Sequence, residues 1–248
     1  MPRFFMENTV REPGESLCIT GQDASHISKS LRMKAGESGT VCGGLGYDML
    51  CEITDISDGA VELKVIEKTV TDSEPSVRIT LYQGLPKGDK LELIIEKTIE
   101  LGVCEIVPVL MQRSVSRPDP KSARKKHERY QKQALSAAKQ CGRGIVPAVR
   151  EMISFQDMMG QLNRHGAVIF FYECGGQPLS EVMRRIRSEK TDDIAIVVGP
   201  EGGFDIAEAE SLRAAGTCTA TLGKRILRTE TAPIAAIAAI MFATGNMD

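Results

Sequence analysis

The stretch VGPEGGF, residues 198–204, decides the fold; it lies between the apolar run IAIV and the polar run DIAEAES. An apolar strand, a glycine-rich turn and a helix build many phosphate sites, because glycines let backbone N–H groups approach a ligand. This turn, however, lacks the lysine of a phosphate-binding loop and the glycine spacing of a dinucleotide fingerprint, and it carries a carboxylate, Glu201. It therefore predicts either a ligand that is uncharged or cationic at this end, or a tight turn with no ligand.

The turn belongs to an alternation of strands and helices that begins at Val77. Strands are predicted at RITLYQGL, CEIVPVLM, AVIFFY, IAIVV and TCTATL, and helices over 89–102, 121–142, 205–215 and from about residue 230. Such alternation indicates an α/β domain over 77–248 with a mainly parallel sheet, whose ligands bind beyond the carboxyl ends of the strands. Three glycine-bearing turns follow strands at that edge, at 173–176, 199–203 and 223–225, and we expect them to form one site.

The first 70 residues have a different pattern. Short apolar or alternating runs such as SLCIT, DMLCEITDI and AVELKVIEK are separated by Gly, Asp and Ser, which is typical of a small antiparallel barrel. The polar stretch TVTDSEPS, residues 69–76, is the predicted linker. The chain is thus divided into domains 1–70 and 77–248.

Charge is distributed unevenly along the chain, although the net charge is only −2. Residues 111–150 carry 11 basic and 2 acidic residues. An excess of this size favours a polyanionic partner, most simply nucleic acid, over the alternative of a solvated lysine-rich helix face. The seven cysteines contain no C-x-x-C pair, which argues against a metal site and favours a reducing cytoplasm. No apolar run reaches the length that a membrane span needs.

The last predicted helix, within TETAPIAAIAAIMFAT, is apolar on every face. Its only helix-breaking residue, Pro233, falls in the first turn, where proline is tolerated. An all-apolar helix predicts burial inside the fold or at a subunit interface.

The pairing of VGPEGGF with LGKRILRTETA, residues 222–232, resembles the SPOUT class of S-adenosylmethionine-dependent RNA methyltransferases. Within that class it is similar to the family that methylates N3 of a uridine in 16S ribosomal RNA. The similarity extends over nearly the whole chain, and the other matching segments are RFF at the start, IEKTIELGVCEIVPVLMQRSV and ERYQKQALSAAKQCGR.

The resemblance implies a PUA-like RNA-binding barrel over 1–70 and a SPOUT domain over 77–248 that ends in a trefoil knot. It also implies S-adenosylmethionine as the cofactor, the small ribosomal subunit as the partner, and a homodimer with no metal and no membrane association. Backbone groups of three loops are expected to grip the adenosine. The corresponding residues here are Phe171, Tyr172, Glu173, Val198, Gly199, Pro200, Glu201, Gly202, Gly203, Leu222, Gly223, Ile226 and Leu227.

Methylation of an imide nitrogen needs loss of its proton and stabilisation of charge on the flanking carbonyl oxygens. An arginine suits the second task, so Arg228 is the predicted catalytic residue, and Glu230 is the nearest candidate for the proton acceptor; the alternative for Glu230 is an acidic residue in a helix first turn. Two further functions stay open: methylation of a ribose 2′-hydroxyl, and RNA binding without catalysis in ribosome assembly. Predicted RNA contacts are Arg3, Arg11, Arg113, Lys125, Arg129 and Arg143.

Overall fold

The computed structural model describes residues 1–57 and 59–248, which divide into two compact units. Unit 1 consists of Met1–Glu74 and Ala138–Val146, and unit 2 of Pro75–Ala137 and Pro147–Asp248. The assignment of residues 138–146 to unit 1 is absent from the linear division at 70 and 77. Residues 138–141 form the last turn of a long helix that begins at Pro120. Sequence periodicity shows only that this helix is continuous, so the whole helix is expected in the second domain.

Unit 1 is built on a five-stranded sheet with the order β1-β3-β4-β5-β2. The expected antiparallel pairing is confirmed for β2, β3, β4 and β5 but is wrong for β1, which pairs in parallel with β3. More than thirty residues separate these two strands, so no hairpin forces them to be antiparallel. The strands are β1 (Arg3–Phe5), β2 (Ser16–Thr20), β3 (Ser38–Cys42), β4 (Tyr47–Ser57) and β5 (Ala60–Val70), with the short helix α1 (Gly21–Ser25) and a π-helical turn at His26–Ser30 after β2.

Unit 2 contains an all-parallel sheet with the order β11-β13-β10-β12-β6-β7-β8, and β9 pairs with β7. The predicted parallel α/β sheet is confirmed. Its central strand is fully buried from residue 194 to 198, which explains its continuous apolar run. The strands are β6 (Arg78–Gly84), β7 (Glu105–Leu110), β8 (Ala148–Val149), β9 (Ile153–Ser154), β10 (Ala167–Phe171), β11 (Gln177–Pro178), β12 (Asp193–Val198) and β13 (Cys218–Thr221).

Six helices belong to this part of the chain, and the four predicted ones are all present. Asp205 and Glu208 form a capping box at the start of α6, as an aspartate followed three residues later by a glutamate predicts from the sequence alone. The amphipathic helix α5 was not predicted, although it buries Leu179, Val182 and Ile186 on one face. None of the helices formed by the described residues is long and apolar enough to cross a membrane. The six are α2 (Lys90–Glu100), α3 (Pro120–Cys141), α4 (Phe155–Met159), α5 (Leu179–Ser188), α6 (Ile206–Ala214) and α7 (Thr231–Ala243).

Helix α7 is only partly buried within unit 2. Its inner face carries Pro233, Ala236, Ile237, Ile240 and Met241, which are all buried. On the outer face, Phe242 is 70% exposed, and Ile234, Ala235 and Ala238 are half-buried. Burial of the whole helix inside the fold therefore does not occur, and an apolar face lies at the surface.

Glu74 fastens residues 143–145 inside unit 1. Its carboxylate accepts hydrogen bonds from Arg143 Nε at 2.9 Å and Nη2 at 2.6 Å. The backbone N–H groups of Gly144, at 2.8 Å, and Ile145, at 3.1 Å, donate to the same carboxylate. Arg143 is only 4% exposed. The carboxylate therefore compensates a buried cation and satisfies two backbone donors at once.

We expect Glu74→Gln to lower the free energy of unfolding by about 3 kcal/mol, because it removes the charge of the carboxylate that is paired with the buried Arg143 guanidinium. Urea denaturation measures this loss. Glu12→Gln is the matched control, since Glu12 pairs with Lys68 at the surface of the same unit, and its loss is expected to stay below about 1 kcal/mol. Equal losses in the two variants would contradict the assignment.

Candidate functional site

A cavity of about 590 Å³ lies where β10, β12 and β13 end. Residues from all three glycine-bearing turns meet there, as the parallel alternation predicts, although the turn at 173–176 contributes only Glu173. All thirteen residues that the sequence assigned to cofactor binding line this cavity, from Phe171 to Leu227. Arg228 lines it as well, and its side chain is exposed to solvent. The residues that complete the lining are Lys87, Lys90, Ala220, Thr221, Lys224, Arg225, Thr229 and Ala232.

Two buried polar side chains join the loops that surround the cavity. The Thr229 hydroxyl donates to the Gly199 carbonyl oxygen at 2.8 Å. The Gln83 amide Nε2 donates to Thr229 Oγ1 at 3.1 Å and to the Gly84 carbonyl oxygen at 3.0 Å. Gln83 and Thr229 are 0% and 6% exposed. The end of β6, the turn after β12 and the chain before α7 are thus held together, an arrangement that the sequence analysis missed.

The glycines of the 199–203 turn are needed mainly for packing within the protein. A Cβ atom on Gly199 would lie 3.0 Å from the ring of Phe204, which is buried and packs edge-to-face on Phe170 at 4.6 Å between centroids. Gly203 has a φ of +67°, and a Cβ atom there would overlap the Glu173 carboxylate. A bulkier residue at position 199, such as valine, would therefore disturb the core beside the cavity as well as any ligand.

The carboxylate in the turn is compensated by a lysine. Glu201 Oε1 lies 3.2 Å from Lys90 Nζ and also accepts a hydrogen bond from the Lys87 backbone N–H at 3.2 Å. Lys90 Nζ lies 3.1 Å from Glu230 Oε2. Hydrogen bonds to Glu230 and Glu201 raise the pKa of the Lys90 ammonium. Glu201 is therefore not the bare carboxylate that the sequence suggests at this turn, because it shares the Lys90 ammonium with Glu230.

Glu230 lies behind the cavity wall and is not one of the lining residues. Burial raises the pKa of its carboxyl group. A hydrogen bond that the carboxylate accepts from the backbone N–H of Glu230 itself, together with the Lys90 ammonium, outweighs that effect, so the pKa is lowered overall. A carboxylate with a lowered pKa is a weaker base than an ordinary glutamate. The geometry thus favours a supporting role for Glu230 over that of proton acceptor.

The predicted RNA contacts differ in how far their charges are engaged inside the protein. In unit 1, Arg3 is bonded to Asp48 at 2.9 Å and to the Gly142 carbonyl oxygen, and Arg143 is buried on Glu74, while Arg11 is exposed. In unit 2, Arg129 pairs with Glu92 at 2.5 Å and Asp89 at 3.6 Å. Lys125 is exposed, and Arg113 Nη1 donates to the Gly202 carbonyl oxygen at 3.2 Å, beside the cavity turn.

Two domain models match the chain: an RNA methyltransferase domain over residues 73–241 and an RNA methyltransferase PUA domain over residues 19–66. The chain is 38% identical to ribosomal RNA small subunit methyltransferase E of Bacillus subtilis, over 98% of this chain and 97% of the relative. A protein of the same name from Buchnera aphidicola is 28% identical over 99% of this chain and 95% of the relative.

Among solved structures, ribosomal RNA small subunit methyltransferase E of Neisseria gonorrhoeae bound to S-adenosyl methionine is similar to this chain. The TM-score is 0.82 with 32% identity, over 98% of this chain and 97% of that chain. The chain belongs to the family of RNA methyltransferases that these domain models and relatives define. Over residues 1–57 and 59–248, no group of three or more His, Cys, Asp or Glu side chains is arranged to hold a metal ion.

We expect Thr229→Val to lower the free energy of unfolding by about 1–3 kcal/mol, because it removes the hydroxyl that serves both the Gly199 carbonyl and the Gln83 amide in a buried position. Thermal denaturation followed by circular dichroism measures the change. Thr229→Ser keeps the hydroxyl and is expected to retain most of the stability. Wild-type stability of the valine variant would show that the buried link contributes nothing to the fold.

Proposed function

We propose that the protein transfers a methyl group from S-adenosylmethionine to N3 of a uridine in 16S ribosomal RNA. The observation that carries the proposal is the convergence of the three predicted loops on one cavity in unit 2. The names of the relatives and the S-adenosyl methionine held by the Neisseria gonorrhoeae structure support it. In parallel α/β sheets, small molecules bind beyond the carboxyl ends of the strands, which is where this cavity lies.

The lining residues suit this cofactor. The volume falls within the range of roughly 300–1,000 Å³ that is usual for small-molecule sites. Ile226, which is 85% exposed, and Leu227 offer apolar walls for an adenine, and the turn at 199–203 offers backbone polar groups. The Glu201 carboxylate shares the Lys90 ammonium with Glu230, so its repulsion of the carboxylate of the methionine moiety is weaker than that of a bare charge. When bound, S-adenosylmethionine supplies an electrophilic methyl group.

The protein's own part in the reaction is to orient the base and stabilise negative charge. Uridine N3 must lose its proton before or during formation of the N3–C bond, and the charge spreads over the two flanking carbonyl oxygens. Arg228, exposed at the cavity, is placed to donate hydrogen bonds to such an oxygen. Glu230 supports the site through Lys90, in keeping with its lowered pKa.

RNA is proposed to contact both domains, taken as a PUA-like domain over 1–70 and a SPOUT domain over 77–248 whose final segments form a trefoil knot. Arg11 and Lys125 are the preferred phosphate or sugar contacts, because Arg3, Arg129 and Arg143 have carboxylate partners. Arg113 is a third candidate, because its one carboxylate contact, with Asp205 Oδ2, is long at 3.7 Å. Arg113 is the most informative of them, since it lies against the 199–203 turn. The cytoplasm, where ribosomal RNA is modified, is the proposed location.

Methylation of 16S ribosomal RNA in ribosomal particles, followed by nucleoside digestion and mass spectrometry, tests the reaction. We expect 3-methyluridine from the wild-type protein, and a rate constant lowered by about 10²–10³-fold in Arg228→Ala, with donor affinity by calorimetry close to wild type. Arg228→Lys keeps the positive charge without the bidentate geometry, so its rate constant is expected to lie between those of the wild-type protein and Arg228→Ala. A 2′-O-methyl product would show that the protein methylates ribose instead of uridine N3. Absence of S-adenosylmethionine binding would favour a non-enzymatic RNA-binding role.

We also propose a homodimer that buries the outer face of α7 and places the site beside the partner subunit. The support is the row formed by Ile234, Ala235, Ala238 and Phe242, because apolar residues at this helical spacing pack against another helix. Small alanine side chains in the row permit a close approach.

We expect Phe242→Glu to convert the dimer into a monomer, because association would bury a carboxylate in an apolar contact. Sedimentation velocity at micromolar concentration measures the change. Ile206→Glu is the control, since Ile206 is also exposed, at 64%, and a carboxylate is well tolerated in a helix first turn. A wild-type protein that sediments as a monomer would refute the dimer.

A further inference from the structure

Lys90 occupies an unusual position for a lysine. It is the first residue of α2, where the helix dipole presents partial positive charge and favours acidic side chains. A residue that breaks a local rule of this kind commonly does so for function. The ammonium is held between Glu201 Oε1 at 3.2 Å and Glu230 Oε2 at 3.1 Å, and the lysine lines the cavity.

We propose that Lys90 is a positioning residue of the methyl-transfer site, which joins the turn after β12 to the start of α7 and compensates their two carboxylates. This inference rests on the proposed function. The three side chains are 29%, 21% and 17% exposed for Lys90, Glu201 and Glu230, so the bridge is shielded enough from solvent to matter more than a surface ion pair.

The charge balance explains why the site needs this lysine. The bridge carries two negative charges and one positive charge, a net of −1. Without Lys90 the two carboxylates would together carry −2, next to the cavity in which, on the proposed function, the imide carbonyl oxygens become negative during methyl transfer. Uncompensated carboxylates would raise the energy of that transition state and oppose loss of the N3 proton. Lys90 itself stays protonated, because its partners raise its pKa.

Lys97 provides a matched control on the same helix. Its Nζ atom lies 2.7 Å from Glu96 Oε1 and 2.9 Å from Glu100 Oε1, so it also bridges two carboxylates, and it does not line the cavity. The side chain of Lys97 is 38% exposed. A loss of general helix stability is therefore shared by Lys90→Met and Lys97→Met, whereas an effect on the site is confined to Lys90.

The experiment compares Lys90→Met, Lys90→Arg, Lys97→Met and the double variant Lys90→Met with Glu201→Gln. Methylation of ribosomal particles and calorimetric titration with S-adenosylmethionine are measured for each. We expect Lys90→Met to lose on the order of tenfold in rate, less than the loss of a direct charge-stabilising donor. Lys90→Arg, which can bridge both carboxylates, and the double variant, which restores a net charge of −1, are expected to recover most of the rate. Lys97→Met is expected to match wild type.

Carbon-13 NMR titration of the glutamate carboxyl groups supplies a readout independent of catalysis. Removal of the ammonium should raise the pKa of Glu230 in Lys90→Met and leave it unchanged in Lys97→Met. If Lys90→Met is poorly folded, the charge-balanced double variant takes its place, and a loss of about tenfold or more in its rate relative to wild type would overturn the proposal.

Equal behaviour of Lys90→Met and Lys97→Met would also overturn the proposal. A wild-type protein that neither binds S-adenosylmethionine nor methylates uridine would refute the proposed function instead. In that case the Glu230 titration still decides whether Lys90 controls this carboxylate.

Discussion

The site depends on the hydrogen bond from the Thr229 hydroxyl to the Gly199 carbonyl oxygen. This bond joins the turn after β12 to the chain that enters α7, thirty residues later, and Gln83 from the end of β6 supports it from below. These groups are buried, so the link lies in a low dielectric and cannot be exchanged for water without cost. The shape of the cavity is therefore fixed by three chain segments that are bonded to one another, and not by the glycine turn alone.

Electrostatic compensation is the second constraint on the cavity. Glu201 lines the cavity and Glu230 lies behind its wall. Lys90 lies between these two carboxylates. Cations that remain exposed, such as Arg225 and Arg228, line the cavity on the solvent side, from which an anionic substrate would approach. The division between paired charges in the wall and exposed cations at the mouth suits a small bound cofactor beside a polyanion.

The sequence was sufficient for the parallel sheet, the capping box of α6 and the three turns, because apolar periodicity and glycine positions are local signals. It was insufficient for Gln83, Lys90 and Thr229, whose roles arise only when distant segments meet. Helix α5 could have been found from its amphipathic spacing. The parallel pairing of β1 and the return of residues 138–146 to unit 1 depend on tertiary contacts that carry no short-range pattern. Family resemblance, by contrast, identified thirteen of the residues that line the cavity.

Amide hydrogen exchange with and without S-adenosylmethionine tests the central claim most directly, because it reports on each loop separately. We expect slower exchange at residues 171–173, 198–203 and 222–229, with peptides from the unit 1 sheet unchanged, since a bound ligand suppresses local opening of the segments that hold it. Protection confined to other segments, or no protection at saturating S-adenosylmethionine, would contradict the assignment of this cavity as the cofactor site.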